Sequence, residues 1–120
     1  MERTFLLAGA VAGFIGVALG AFGAHGLRGR LSPEMLSVFE TGVRYQMYHA
    51  LALLLTAIVA GRADGRAVAA AGWLFVTGIA LFSGSLYVLA VTGVTAFGAI
   101  TPIGGVALLA GWVCLAVAAL

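Results

Sequence analysis

Two histidines are the only side chains in this chain with an ordinary pKa near neutrality, and the second stands among groups able to do chemistry. Tyr45, Gln46, Tyr48 and His49 fall within five residues. Tyr45 and His49 are four apart, so a phenol and an imidazole share one helix face. Such a pair could hold a proton or a ligand headgroup. The same residues also make an ordinary interfacial aromatic belt with a hydrogen-bonded histidine. A second group is Ser83, Gly84, Ser85 and Tyr87, two hydroxyls around a glycine with a phenol on the Ser83 face. Serines in an apolar helix bond back to their own backbone or across to a neighbour, and Gly84 would let that neighbour approach; a solute or proton path is the alternative. His25 directly follows the first apolar run and Thr101 directly precedes the last. If His25, Tyr45, His49 and Thr101 converge, they make one polar pocket near a membrane face, fit for a proton, an anion or a ligand headgroup. His49 would then need a hydrogen-bond partner beyond its own helix, with Ser83, Ser85, Tyr87 and Thr101 as the candidates.

Other chemistries find no support in the residues. Two histidines without a third ligand at matched spacing make no zinc or copper centre, and His25, beside a glycine turn, lies too near the surface for paired haem ligation with His49. There is no phosphate loop, nucleophile elbow or carboxylate pair, so neither catalytic residues, a metal nor a cofactor is expected. A formal charge of +2, from six scattered arginines against four acidic residues, is no nucleic-acid footprint. The single Cys114 lies inside an apolar run and packs as a small hydrophobe.

The elements that position these groups follow from composition. The chain is 63% hydrophobic and 8% charged, where soluble domains carry about 25% charged residues, so it has almost no water-facing surface. A membrane span takes about 20 apolar helical residues. The uncharged stretches give one all-α transmembrane domain, an integral membrane four-helix bundle with helices at about 4–24, 34–61, 67–91 and 102–120. Ser32, Pro33 and Glu34 mark a helix start. Met35, Phe39, Val43 and Met47 then lie on one line, and Ser37, Glu40, Thr41 and Arg44 on the other side, an amphipathic extension that helix 2 must borrow to reach spanning length. Arg62 to Arg66, with Asp64 between, form a polar turn, and 92–101 a Gly-rich loop. On helix 1, Ala8, Ala12, Gly16, Gly20 and Ala24 recur every four residues as a smooth groove for helix packing, and Gly84 offers a similar point on helix 3. Four spans put both termini on one face. Arginines number three on each face; Arg44, within helix 2, counts less, which leans toward cytoplasmic termini, with insertion in both orientations as the alternative.

The ordered segments Gly20-Ala-Phe-Gly-Ala-His-Gly26, Tyr45-Gln-Met-Tyr-His-Ala50, Leu81-Phe-Ser-Gly-Ser-Leu-Tyr87, Gly98-Ala-Ile-Thr-Pro-Ile-Gly-Gly105 and Gly111-Trp112 resemble the domain-of-unknown-function family 423 over essentially the whole chain. The resemblance implies a small four-helix protein of bacterial inner membranes, with a small mitochondrial transmembrane protein among its kin, and implies neither an activity nor catalytic residues. The reading that follows is a non-enzymatic, multi-pass inner-membrane protein. Its partners are the lipid bilayer and either further copies of itself, as a homo-oligomer, or a larger membrane complex, met through the helix 1 groove. The alternatives are a minimal oligomeric transporter or channel for a proton, small ion or metabolite, and lipid or quinone binding at the polar mouth.

Overall fold

The computed structural model describes residues 1–63 and 65–120. Asp64, in the polar turn, lies outside the described residues. Helix α1 runs Glu2–His25, α2 Pro33–Val59, α3 Gly65–Thr92 and α4 Thr101–Ala118. The segment expected as a loop before α4 contains a 3-10 turn, Thr95–Ala99. The Ser32 hydroxyl accepts from the Met35 amide at 3.1 Å and Pro33 opens α2, so this helix begins where local chemistry places a start. Between α1 and α2 the chain reverses through Gly29, whose φ of 85° is one that side-chain-bearing residues rarely adopt.

Helices α1 and α3 and the stretch Thr95–Ala118 are long and apolar enough to cross a membrane. The more polar α2 completes the all-α membrane bundle. The helices pack in chain order, α1 on α2, α2 on α3 and α3 on α4, in an envelope of 47 × 25 × 16 Å. The side chains of Met1 and Glu2 lie against Gly65 and Gly61, which puts the N-terminus beside the α2–α3 turn. Phe5, Leu53, Phe75 and Leu108, one from each helix, meet in the main core, while Leu27, Phe39 and Ala90 secure the α1–α2 connection.

Lipid tails are as apolar as these side chains, so close backbone approach and polar bonds hold the helices together. The small-residue face of α1 is taken by α2 of the same chain: Gly9 meets Leu54 and the Ala50 carbonyl, Gly16 meets Met47, Gly20 faces Val43 and Gly23 abuts Phe39. The groove expected to receive another chain is therefore already filled. Its register also differs. Gly9, Gly16 and Gly23 are buried, Ala8, Ala12 and Gly20 are half-buried, and Ala24 is exposed. A step of four residues winds about 40° around a helix whereas seven drift only about 20°, so the packed seam follows the seven-residue spacing.

Gly84 is a second correction. A methyl group there would meet nothing within 4 Å, so it is not a point of close helix approach; on α3 that part falls to Gly72 against Phe5 and Gly78 against Leu108. The substitution Gly84→Ala should accordingly raise stability by about 0.5–1 kcal/mol, the helix-interior cost of glycine. Unfolding in mixed micelles measures it, and a loss of stability would show an unrecognised contact at this site.

Candidate functional site: the polar seam of helix α2

Helix α2 turns Gly42, Gln46, His49 and Thr56 toward its neighbours, and each interior polar group there finds a partner. Gln46 is 4% exposed and joins three helices. Its Nε2 donates to the Ala12 carbonyl of α1 at 2.9 Å, and its Oε1 accepts from the Tyr87 hydroxyl of α3 at 2.6 Å. One turn earlier, the Ser83 hydroxyl donates to the Gly42 carbonyl at 2.6 Å. The Tyr87 ring packs on Gly42, which has no side chain to obstruct it, and lies 5.0 Å from the Phe39 ring.

His49 faces the other way, toward α4. The indole Nε1–H of Trp112 donates to His49 Nε2 at 3.0 Å. An indole nitrogen can only donate, so Nε2 carries no proton in this bond. The proton is on Nδ1, which donates to the Tyr45 carbonyl at 2.7 Å. His49 is thus the neutral Nδ1–H tautomer, framed by the rings of Phe75, Trp112 and Tyr45 at 5.7, 5.9 and 6.4 Å. With both nitrogens engaged it has no lone pair to offer a metal. Between α3 and α4, Ser85 donates to the Phe82 carbonyl at 2.9 Å. Having one proton, it must accept from Thr101, whose hydroxyl oxygen lies 2.6 Å away.

The pocket of His25, Tyr45, His49 and Thr101 does not assemble. His25 is exposed, and its Nδ1 sits 3.0 Å from the Ala21 carbonyl of its own helix. Tyr48 faces outward with its ring 5.6 Å from that of Tyr45. None of the four candidate partners of the imidazole reaches it: Ser83 and Tyr87 serve Gly42 and Gln46, and Ser85 and Thr101 serve each other. Sequence reasoning misses Trp112. The signal is present, since an indole N–H inside an apolar helix requires an acceptor and the chain offers few.

Two apolar grooves flank the seam. One, about 480 Å³, lies between α1 and α3 with Gln46 and Leu53 along its wall. The other, about 420 Å³, lies between α2 and α4 and is lined by Tyr45, His49, Phe82, Pro102, Gly105 and Trp112 among others. Exchanging Trp112 for phenylalanine keeps the ring and removes the donor. The expected loss is about 1 kcal/mol, and combination with His49→Leu should be non-additive; additivity within about 0.3 kcal/mol would mean that the bond contributes nothing.

A family model described as a protein of unknown function, DUF423, matches residues 19–105, a stretch that includes Gln46, His49, Ser83, Tyr87 and Thr101 but neither Ala12 nor Trp112. The chain belongs to that family. It is 50% identical over 118 residues to the UPF0382 membrane protein YwdK of Bacillus subtilis (strain 168), an alignment covering 98% of this chain and 96% of the relative. It is 48% identical over 113 residues to a UPF0382 membrane protein of Staphylococcus haemolyticus (strain JCSC1435), covering 94% and 92% of the two chains. A UPF0382 membrane protein of Staphylococcus aureus (strain bovine RF122 / ET3-1) is 47% identical over 116 residues, covering 97% and 94%. No solved structure matches. This member of DUF423 is a small membrane protein from a family of unknown function, as the ordered segments implied.

Proposed function

We propose that this DUF423 protein is a non-enzymatic, multi-pass protein of the inner membrane that works by association, as a homo-oligomer or as a subunit of a larger membrane complex. One observation carries the reading: among the described residues, the interior has no polar group to spare. Both amide atoms of Gln46 and both ring nitrogens of His49 are engaged by other groups of the same chain. Among the described residues, no buried polar side-chain atom lacks a partner. A catalytic centre needs a group aimed at substrate, and a proton path needs sites that empty and refill; a closed set of hydrogen bonds supplies neither. What the chain offers outward is apolar helix surface, with Leu6, Phe14 and Val17 exposed on α1 and Val106, Leu109 and Val113 on α4. Because α2 fills the small-residue face of α1, association falls to these outer faces. The α2–α4 groove favours a second reading, in which a lipid or quinone tail lies along α4 beside Trp112.

Subunit counting by single-molecule photobleaching, at falling protein-to-lipid ratios, tests the first reading. A constant number above one, or a membrane protein co-purifying in fixed ratio, is expected. Monomers at every dilution with no such companion would overturn it, and a stoichiometric lipid or quinone in native mass spectrometry would favour the second.

A further inference from the structure

In a multi-pass protein the side with more Lys and Arg in its short loops stays in the cytoplasm, and acidic residues count for little. This chain has six arginines and no lysine. All six are exposed, and the fold divides them evenly between its two ends. Arg3, Arg62 and Arg66 lie where the N-terminus meets the α2–α3 turn, an end identified by the packing of Met1 and Glu2 on Gly65 and Gly61. Arg28 and Arg30 lie in the α1–α2 connection at the opposite end. Arg44 belongs with them: its neighbour Val43 packs on Gly20, and Gly20 is five residues from the end of α1, about 8 Å along the axis. The connections between helices are all short, so none carries a folded domain that would commit one side.

We propose that the chain inserts in both orientations in comparable amounts, so that upright and inverted copies share one membrane. The proposal rests on the multi-pass reading above. Any self-association then includes pairs of opposite direction.

Thiol accessibility in intact cells tests this in the full-length protein, in a Cys114→Ala background. Thr95→Cys and Ala63→Cys mark opposite ends; Thr95 is exposed and Ala63 half-buried. A membrane-impermeant maleimide is expected to label each variant in roughly half of the molecules. Adding Arg62→Gln should raise labelling of Ala63→Cys several-fold relative to Thr95→Cys, because the end that loses an arginine is held less firmly in the cytoplasm, and Arg30→Gln should do the reverse. Complete labelling of one variant and none of the other, unmoved by either arginine change, would overturn the proposal. Complete labelling of both, or of neither, would overturn the multi-pass reading itself, and the proposal with it.

Discussion

Gly104→Ala should detach α4 from α3 and cost more stability than any other added methyl group at the α3–α4 contact. A Cβ at this position would overlap the backbone nitrogen of Phe82 and stand 2.8 Å from the Leu81 carbonyl carbon and the Phe82 Cα. These are main-chain atoms of a neighbouring helix. A side chain in the way can change rotamer, as the Leu108 side chain can at Gly78, but a helix backbone cannot, so α4 must move as a body. Overpacking of a core costs about 1–3 kcal/mol where neighbours can shift, and a backbone obstruction belongs at or above the top of that range. The displacement also carries Thr101 away from Ser85 and Trp112 away from His49, the two polar bonds that anchor α4. No hydrophobic drive between helices compensates in lipid. Equilibrium unfolding in bilayers or mixed micelles should therefore show a loss of about 3 kcal/mol or more. The control is next door: a methyl at Gly105 would come no closer than 3.7 Å to Phe82, and Gly105→Ala should be near neutral. Equal effects of the two substitutions would contradict the close α3–α4 contact.

The second large effect is expected at Gln46. Replacing it with leucine keeps much of the volume and removes the link among α1, α2 and α3. Interhelical hydrogen bonds in membranes average about 0.6 kcal/mol and reach about 1.7, whereas a buried donor left without an acceptor costs about 1–3 kcal/mol. Gln46→Leu loses two bonds and takes from the Tyr87 hydroxyl its Gln46 acceptor, leaving only Ser83 beside it, so the expected loss is about 2–3 kcal/mol. Tyr87→Phe loses one bond and strands the weaker half of an amide, for about 1 kcal/mol. The double variant removes both partners of the 2.6 Å bond and should be less destabilised than the sum. Strict additivity would mean that the two side chains do not interact.

How much of this is legible in the sequence depends on how local each signal is. The all-α membrane class follows from apolar stretches, and the start of α2 from Ser32 and Pro33, because capping needs only neighbours in the chain. The choice of partner across helices is a different matter. Helical periodicity places Gln46 and His49 on faces, but which helix meets each face depends on the rotation of every helix about its axis. That rotation is set by contacts such as Gly104 against Phe82 and Gly42 against Tyr87, which lie far apart in sequence. Gln46, grouped by its sequence neighbours with a polar mouth, is instead a clasp between α1 and α3. His49 meets an indole where hydroxyls are the candidates that spacing suggests. The helix 1 stripe recurs at a spacing of four, while packing follows seven, and its occupant is a helix of the same chain.

Under the proposed function, the polar residues inside this protein hold helices together and carry no proton. Purified protein in vesicles loaded with a pH-sensitive dye tests it most directly, under an imposed proton gradient with the membrane potential clamped. The account predicts dye responses equal to those of protein-free vesicles of the same lipid, for the native chain and for a His49→Gln variant alike. Proton entry above that baseline in the native chain, abolished by His49→Gln or Gln46→Leu while the protein remains folded, would contradict it.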